Sequence, residues 1–218
     1  MGIIDFFKKL VGGSKEEPID DSQLASLNLD DLSFLVPKDT QSETSERSRP
    51  KSITFRVGNS NGYFFYALSE KIRSGNDVYA KIEACEESYN LLHQFVKDSL
   101  KDCKELPPTI YCRDRGPTLY AMTGQWDKAV EAVQICIAAR AYQPRKSGSE
   151  ALSNIMQMCD IGKRIVSYVS DHPGCLQKDI YKVLEISPEE KNLAKYFLRY
   201  NVVLRKEPYN KTNRLFLK

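Results

Sequence analysis

The signatures that usually announce an enzyme are missing from this chain. It has no G-x-x-x-x-G-K-[ST] loop, no G-x-G-x-x-G turn and no H-E-x-x-H helix, so neither nucleotide phosphates nor a catalytic zinc has its usual cradle. There are only two histidines. His172 falls in an Asp-His-Pro-Gly turn, and His93 falls in a long helical stretch with no nucleophile set beside it. The acidic pairs Glu86-Glu87 and Glu189-Glu190 are adjacent in sequence, so they do not face each other across a cleft. No enzyme activity, cofactor or metal is expected.

Long apolar runs are missing too. No stretch approaches the roughly 18 residues that a membrane-spanning helix needs. The first residues lack the long apolar core and small-residue cleavage site of a secretory signal. The six cysteines, Cys85, Cys103, Cys112, Cys136, Cys159 and Cys175, include no C-x-x-C pair. Several fall on apolar helix faces, where a free thiol behaves as a small hydrophobe. Reduced, buried thiols in a cytoplasmic protein are the expectation.

What is present is an uneven charge. Residues 161–218 carry 12 Lys and Arg against 6 Asp and Glu, a net of +6. Residues 61–160 carry 12 against 13, and residues 1–60 carry 8 against 10. The whole +3 excess therefore comes from the C-terminal quarter, as a phosphate-binding footprint requires.

The C-terminal quarter is also the most legible part. Ile161, Ile165, Tyr168 and Val169 recur at helical spacing, predicting a helix over 161–170 capped by Asp160. Asp171-His172-Pro173-Gly174 ends it. A second helix is predicted over 176–184, with Ile180, Val183 and Leu184 buried. Ser187, Pro188 and Glu190 then form a capping box with proline at the first helical position. Beyond it Leu193, Ala194, Phe197 and Leu198 share one face. Lys191, Lys195 and Arg199 recur every fourth residue as a basic stripe, with Asn192 and Tyr196 beside it. The period then changes to two. Strands are predicted over 202–206 and 213–217 around a turn at 207–212, and this hairpin carries Arg205, Lys206, Lys211 and Arg214.

The run Pro173-Gly174-Cys175-Leu176-Gln177-Lys178-Asp179-Ile180-Tyr181, followed by the capped helix and the basic hairpin, resembles bacterial winged-helix domains. That resemblance implies a third helix entering the major groove of double-stranded DNA and a wing on the phosphates. It makes Asn192, Lys195, Tyr196 and Arg199 the candidate base readers, with Lys191 on the same stripe. Lys178, Lys182, Arg205, Lys206, Lys211 and Arg214 become candidate phosphate contacts. Winged helices also dock on proteins, and Glu189 and Glu190 at the helix start would repel phosphate.

The middle of the chain is helical. Tyr63, Tyr66, Ala67 and Ile72 begin the pattern, Gly75-Asn76-Asp77 breaks and recaps it, and a long helix is predicted over 78–103, ended by Pro107-Pro108. Tyr120, Gly124, Trp126, Ala129, Val133 and Cys136 resemble the tetratricopeptide repeat at its turn and second helix. The first helix departs from that pattern, with Arg113 at the large aromatic position and Pro117 at the small one. Gly75 and Ala80 suggest a second divergent unit; a generic helical bundle is the alternative. A hinge is predicted over 143–149 and a short helix over 150–159.

Residues 2–11 pattern as an amphipathic helix able to touch a membrane surface weakly or to dock on protein. Most of 12–50 has a disordered composition, interrupted by an acidic island holding Leu24, Leu27, Leu29, Leu32, Phe34 and Leu35. Ile53, Phe55 and Val57 alternate like one strand.

The expected fold is mainly α, with a tetratricopeptide-like domain over 53–145 and a winged helix with a small β-hairpin over 150–218, behind an N-terminal segment of 1–52. The expected function is DNA binding coupled to protein contact or self-association, as in a transcriptional regulator or mobile-element accessory factor. The rivals are a non-catalytic assembly subunit whose winged helix docks on protein, and a membrane-surface adaptor held by residues 2–11.

Overall fold

The computed structural model describes residues 60–143 and 146–218. The expected amphipathic segment 2–11 with its membrane contact, the leucine-rich island, the linker and the strand at 53–57 lie outside the described residues.

The fold is mainly helical with a small antiparallel sheet at the C-terminal end. Two long helices, α1 (Ser60–Ser74) and α2 (Val78–Asp102), pack as a hairpin. Asp77 supplies the restart of α2, its carboxylate accepting from the N–H groups of Tyr79 and Ala80 at 3.0 and 3.2 Å. Phe65 and Phe95 stack between the two helices with ring centroids 3.9 Å apart.

A second hairpin follows, α3 (Tyr111–Met122) and α4 (Trp126–Ala138). Gly124 makes its turn at φ 75°, in the left-handed region that glycine enters without steric cost. The residues that carry the tetratricopeptide pattern are buried here, among them Tyr120, Trp126, Ala129, Val133 and Cys136. Pro117 lies inside α3, where it removes a helix donor.

The next helix differs from expectation. The predicted hinge at 143–149 and the separate helices at 150–159 and 161–170 are replaced by one helix, α5 (Lys146–Asp171). The physical reason is packing. Ser147 and Gly148 are buried, and a Cβ on Gly148 would stand 2.9 Å from the Ile137 side chain. Polar composition reads as a hinge only where the small residues face water, and here they face α4. Asp160, expected to cap a helix start, is instead a mid-helix residue 3.5 Å from Arg164.

The predicted second helix is also changed. Cys175–Leu176 form a short strand, β1, followed by a 3₁₀ turn at Gln177–Asp179 and a one-turn helix α6 (Ile180–Val183). The capped helix α7 (Lys191–Tyr200) leads to β2 (Leu204–Tyr209) and β3 (Thr212–Leu217). Strand order is β1-β3-β2, all antiparallel, with Cys175 opposite Leu215 and Tyr209 opposite Thr212. The hairpin turn is thus two residues, Asn210-Lys211, not the six predicted. Asn210 takes φ 53°, which asparagine tolerates. Pro208 extends the strand rather than breaking it because β2 is an edge. The first strand starts two residues later than predicted. Asn201 holds the intervening turn, its Nδ2 donating to Phe197 O at 2.7 Å and its Oδ1 accepting from Leu204 N at 2.9 Å.

The core does not divide at α5. One contiguous buried cluster runs from Phe65 to Leu215. Trp126 is the joint: its ring lies 5.8 Å from that of Phe197, and a Cβ on Gly162 of α5 would stand 2.7 Å from it. Val202 N–H donates to Met122 O at 3.1 Å, tying the end of α7 to the end of α3.

Candidate nucleic-acid interface

The basic stripe is held by α7; the capping-box bonds form, but they close the turn ahead of the helix, which starts at Lys191, so Pro188 lies in that turn and not at the first helical position drawn from the sequence. Ser187 N–H donates to Glu190 Oε2 at 2.9 Å, and Glu190 N–H donates to Ser187 Oγ at 3.2 Å. Leu193, Ala194, Phe197 and Leu198 face inward and are buried. Lys191, Asn192, Lys195 and Arg199 are exposed along the opposite side. Tyr196 is different. It is 5% exposed and packs on Tyr200 at 4.7 Å, so it leaves the set of candidate base readers. With a 3.6-residue period, Tyr196 falls on the inner flank of a helix whose apolar stripe is wide.

Of the two glutamates expected to repel phosphate, Glu189 is exposed and Glu190 is paired. Its Oε1 accepts from Arg164 Nη1 at 2.9 Å, while Arg164 Nη2 donates to Leu184 O at 2.6 Å. The Ser187 N–H, and then the Arg164 guanidinium, hold the Glu190 carboxyl below its usual range. Arg164 was not singled out by the sequence pattern; its spacing from Glu190 gives no local signal.

The hairpin sorts its four basic residues by strand phase. Neighbouring residues of a strand point to opposite faces. Arg205, Glu207 and Tyr209 share one face of β2, opposite Phe216, Arg214 and Thr212 of β3. The Arg205 guanidinium pairs with Glu207 and lies 4.7 Å over the Phe216 ring. Arg214 lies 4.0 Å over the Tyr209 ring. Lys206 points the other way, beside buried Leu204 and Leu215. Its Nζ donates to Arg199 O at 2.8 Å, at the carbonyl end of α7. Burial pulls the Lys206 ammonium down to about 8. Lys206 therefore serves the helix end and drops out of the phosphate contacts.

Lys211 at the hairpin tip and Lys178 on the 3₁₀ turn line one shallow depression with Leu176, Tyr209, Asn210 and Thr212. Lys178 N–H donates to Thr212 Oγ1 at 3.3 Å and Asn213 Nδ2 to Gln177 Oε1 at 2.8 Å, so the tip is tethered. Tyr209, 39% exposed, is the residue of this depression that sequence reading missed. The signal was its place opposite Thr212 once a two-residue turn is assigned. Lys182 is exposed on α6. Among the described residues, none of Lys178, Lys182, Lys191, Lys195 and Lys211 is held in an ion pair.

The rest of the chemistry is quiet. Burial pushes the thiols of Cys85 and Cys136 up to about 12 and that of Cys159 to about 11. Such thiols stay protonated at neutral pH and are poor nucleophiles. Among the described residues no group of His, Cys, Asp and Glu could hold a metal ion, and no helix is long and apolar enough to cross a membrane. Compared with protein-family models, with curated proteins and with solved structures, the chain finds no match.

Proposed function

We propose that residues 161–218 act as a winged-helix module that grips the phosphate backbone of double-stranded DNA, and that the tetratricopeptide-like hairpins before it contact a protein partner or a second copy. The observation that carries this reading is the outer side of α7. Lys191, Asn192, Lys195 and Arg199 lie in solvent along one helix while its other side is sunk in the core. Lys178, Lys211, Arg205 and Arg214 supply further exposed positive charge on the adjoining turn and hairpin. Phosphate contacts of this kind give affinity without sequence choice. A transcriptional regulator or a mobile-element accessory factor would use them in this way.

Fluorescence anisotropy of a random-sequence duplex, titrated with the full chain over a salt series, tests the reading. Affinity should fall steeply with salt, and Lys195→Ala/Arg199→Ala should lower the slope by about 2. Absence of binding at low salt, or a double variant that binds like the parent, would overturn it.

A second reading, an assembly subunit that docks on protein, draws on α1. Tyr63 and Phe64 there are 67% and 65% exposed, and adjacent aromatics in water favour a protein contact. The two readings part at the duplex titration, where an assembly subunit shows no affinity.

A further inference from the structure

We propose that the outer face of the β1-β3-β2 sheet is a platform for single-stranded nucleic acid, on which unpaired bases stack against two arginine–aromatic pairs. Residues directly opposite each other in neighbouring strands share a face. The register sets Leu176 opposite Arg214, Arg205 opposite Phe216 and Tyr209 opposite Thr212. These six lie on one side of the sheet, and Cys175, Leu204 and Leu215 lie on the other. Leu204 and Leu215 are buried, so their side packs on the core and the first side faces away from it. Arg205, Tyr209 and Arg214 are exposed there, with Leu176 and Phe216 half-buried.

Two contacts organise this outer side. Arg205 lies 4.7 Å over the Phe216 ring directly across from it, and Arg214 lies 4.0 Å over the Tyr209 ring on the diagonal. Along β2, Arg205 and Tyr209 are separated by about 13 Å of strand, so each pair can receive a base of its own. Aromatic rings and guanidinium groups are the surfaces on which unpaired bases stack. A base inside a duplex already has both faces covered by its neighbours and gains nothing here.

Beside Tyr209 lies the open depression that Leu176, Lys178 and Lys211 also line, with a volume of about 560 Å³. That is the size of a small-ligand site, and its two lysines supply the charge that nucleotide phosphates require. The carboxylate on this side of the sheet, Glu207, is paired with Arg205. The occupant that fits is therefore planar, anionic and unpaired, as nucleotides of a single strand are. The platform adds an unpaired strand to the duplex proposed for α7, and the two are tested apart.

The test is fluorescence anisotropy of the full chain with a labelled oligo(dT) of about 12 nucleotides, within the site size of such surfaces, beside an abasic strand with the same number of phosphates. Oligo(dT) should bind about tenfold more tightly than the abasic strand, as stacking of one or two bases gives. Tyr209→Ala should remove most of that difference, and Tyr209→Phe should keep it. Arg214→Lys, which keeps the charge and gives up the planar group, should weaken oligo(dT) severalfold and leave the abasic strand unchanged. Lys195→Ala/Arg199→Ala should bind oligo(dT) like the parent while losing duplex affinity, and Tyr209→Ala should do the reverse. Failure of the duplex reading thus leaves this one standing. Tighter binding of oligo(U) than of oligo(dT) assigns the platform to RNA, and the reverse assigns it to DNA. No affinity for oligo(dT) at low salt, equal affinity for the abasic strand, or a Tyr209→Ala variant that keeps the full preference would overturn the platform.

Discussion

Lys206 and Lys211 look alike in the sequence, and the structure separates them. Lys206 lies on the inner face of β2 with its ammonium on Arg199 O, while Lys211 stands at the exposed tip of the hairpin. Lys211→Ala should lower the salt slope of duplex binding by about 1, and Lys206→Ala should leave that slope unchanged. Paired salt titrations of the two variants decide the point. Gly162 offers a second residue-scale test. In an exposed helix, Gly→Ala gains about 1 kcal/mol. Here the added methyl would stand 2.7 Å from the ring of Trp126, which is 7% exposed. Overpacking costs about 1–3 kcal/mol and wins, so Gly162→Ala should lower the urea midpoint. A raised midpoint would mean that the ring yields. The Tyr196 correction belongs at this scale too. Its position on the helical wheel is close to the stripe, and only the depth to which α7 sinks turns it inward.

Among the elements, legibility tracked the distance between partners. The capping box of α7 could be read because Ser187 and Glu190 are three residues apart, and both bonds form. The restart of α2 at Asp77 could be read for the same reason. The strand at Cys175–Leu176 could not, since its partner is Leu215, and no local pattern distinguishes it from a helix start. The continuity of α5 was hidden because the burial of Ser147 and Gly148 depends on α4. The cap makes a prediction about pH. Glu190 has a folded pKa below its ordinary value, so its contribution is fully present above the unfolded pKa, near 4.5. It is lost as pH falls through the lower folded value. Glu190→Gln should therefore unfold at a lower temperature than the parent at pH 7, and the gap should close toward pH 3. Thermal scans across that range would refute the assignment if the gap stays constant. Ser187→Ala should cost about 1 kcal/mol by loss of the cap alone, measurable in urea.

At the scale of the molecule, the described residues share one buried cluster from α1 to β3, joined at Trp126. A core without a seam should melt as one unit. Trp126 is the only tryptophan, so its fluorescence reports the junction itself. Urea transitions followed by that fluorescence and by far-ultraviolet dichroism should coincide. Separate midpoints would show that the C-terminal segment comes away first. Trp126→Ala should cost about 3–5 kcal/mol, as removal of a buried aromatic does, and should shift both signals together. The mainly helical architecture with its small sheet was readable from periodicity and turn residues. The welding of the hairpins to the C-terminal segment was not, because periodicity tells which face of a helix is apolar and nothing about which other face it meets.

The contact of Trp126 with Gly162 and Phe197 also bears on how such a chain can change over time. A cassette that is swapped freely between proteins has a polar border, so that its new neighbour does not matter. This C-terminal segment has an aromatic border set into a helix it shares with what comes before. It can pass to another chain only if the recipient supplies a ring of the same size at the same place. A descendant that enlarges Gly162 must also shrink Trp126 or Phe197. The geometry couples the three positions, so a change at one is felt at the other two.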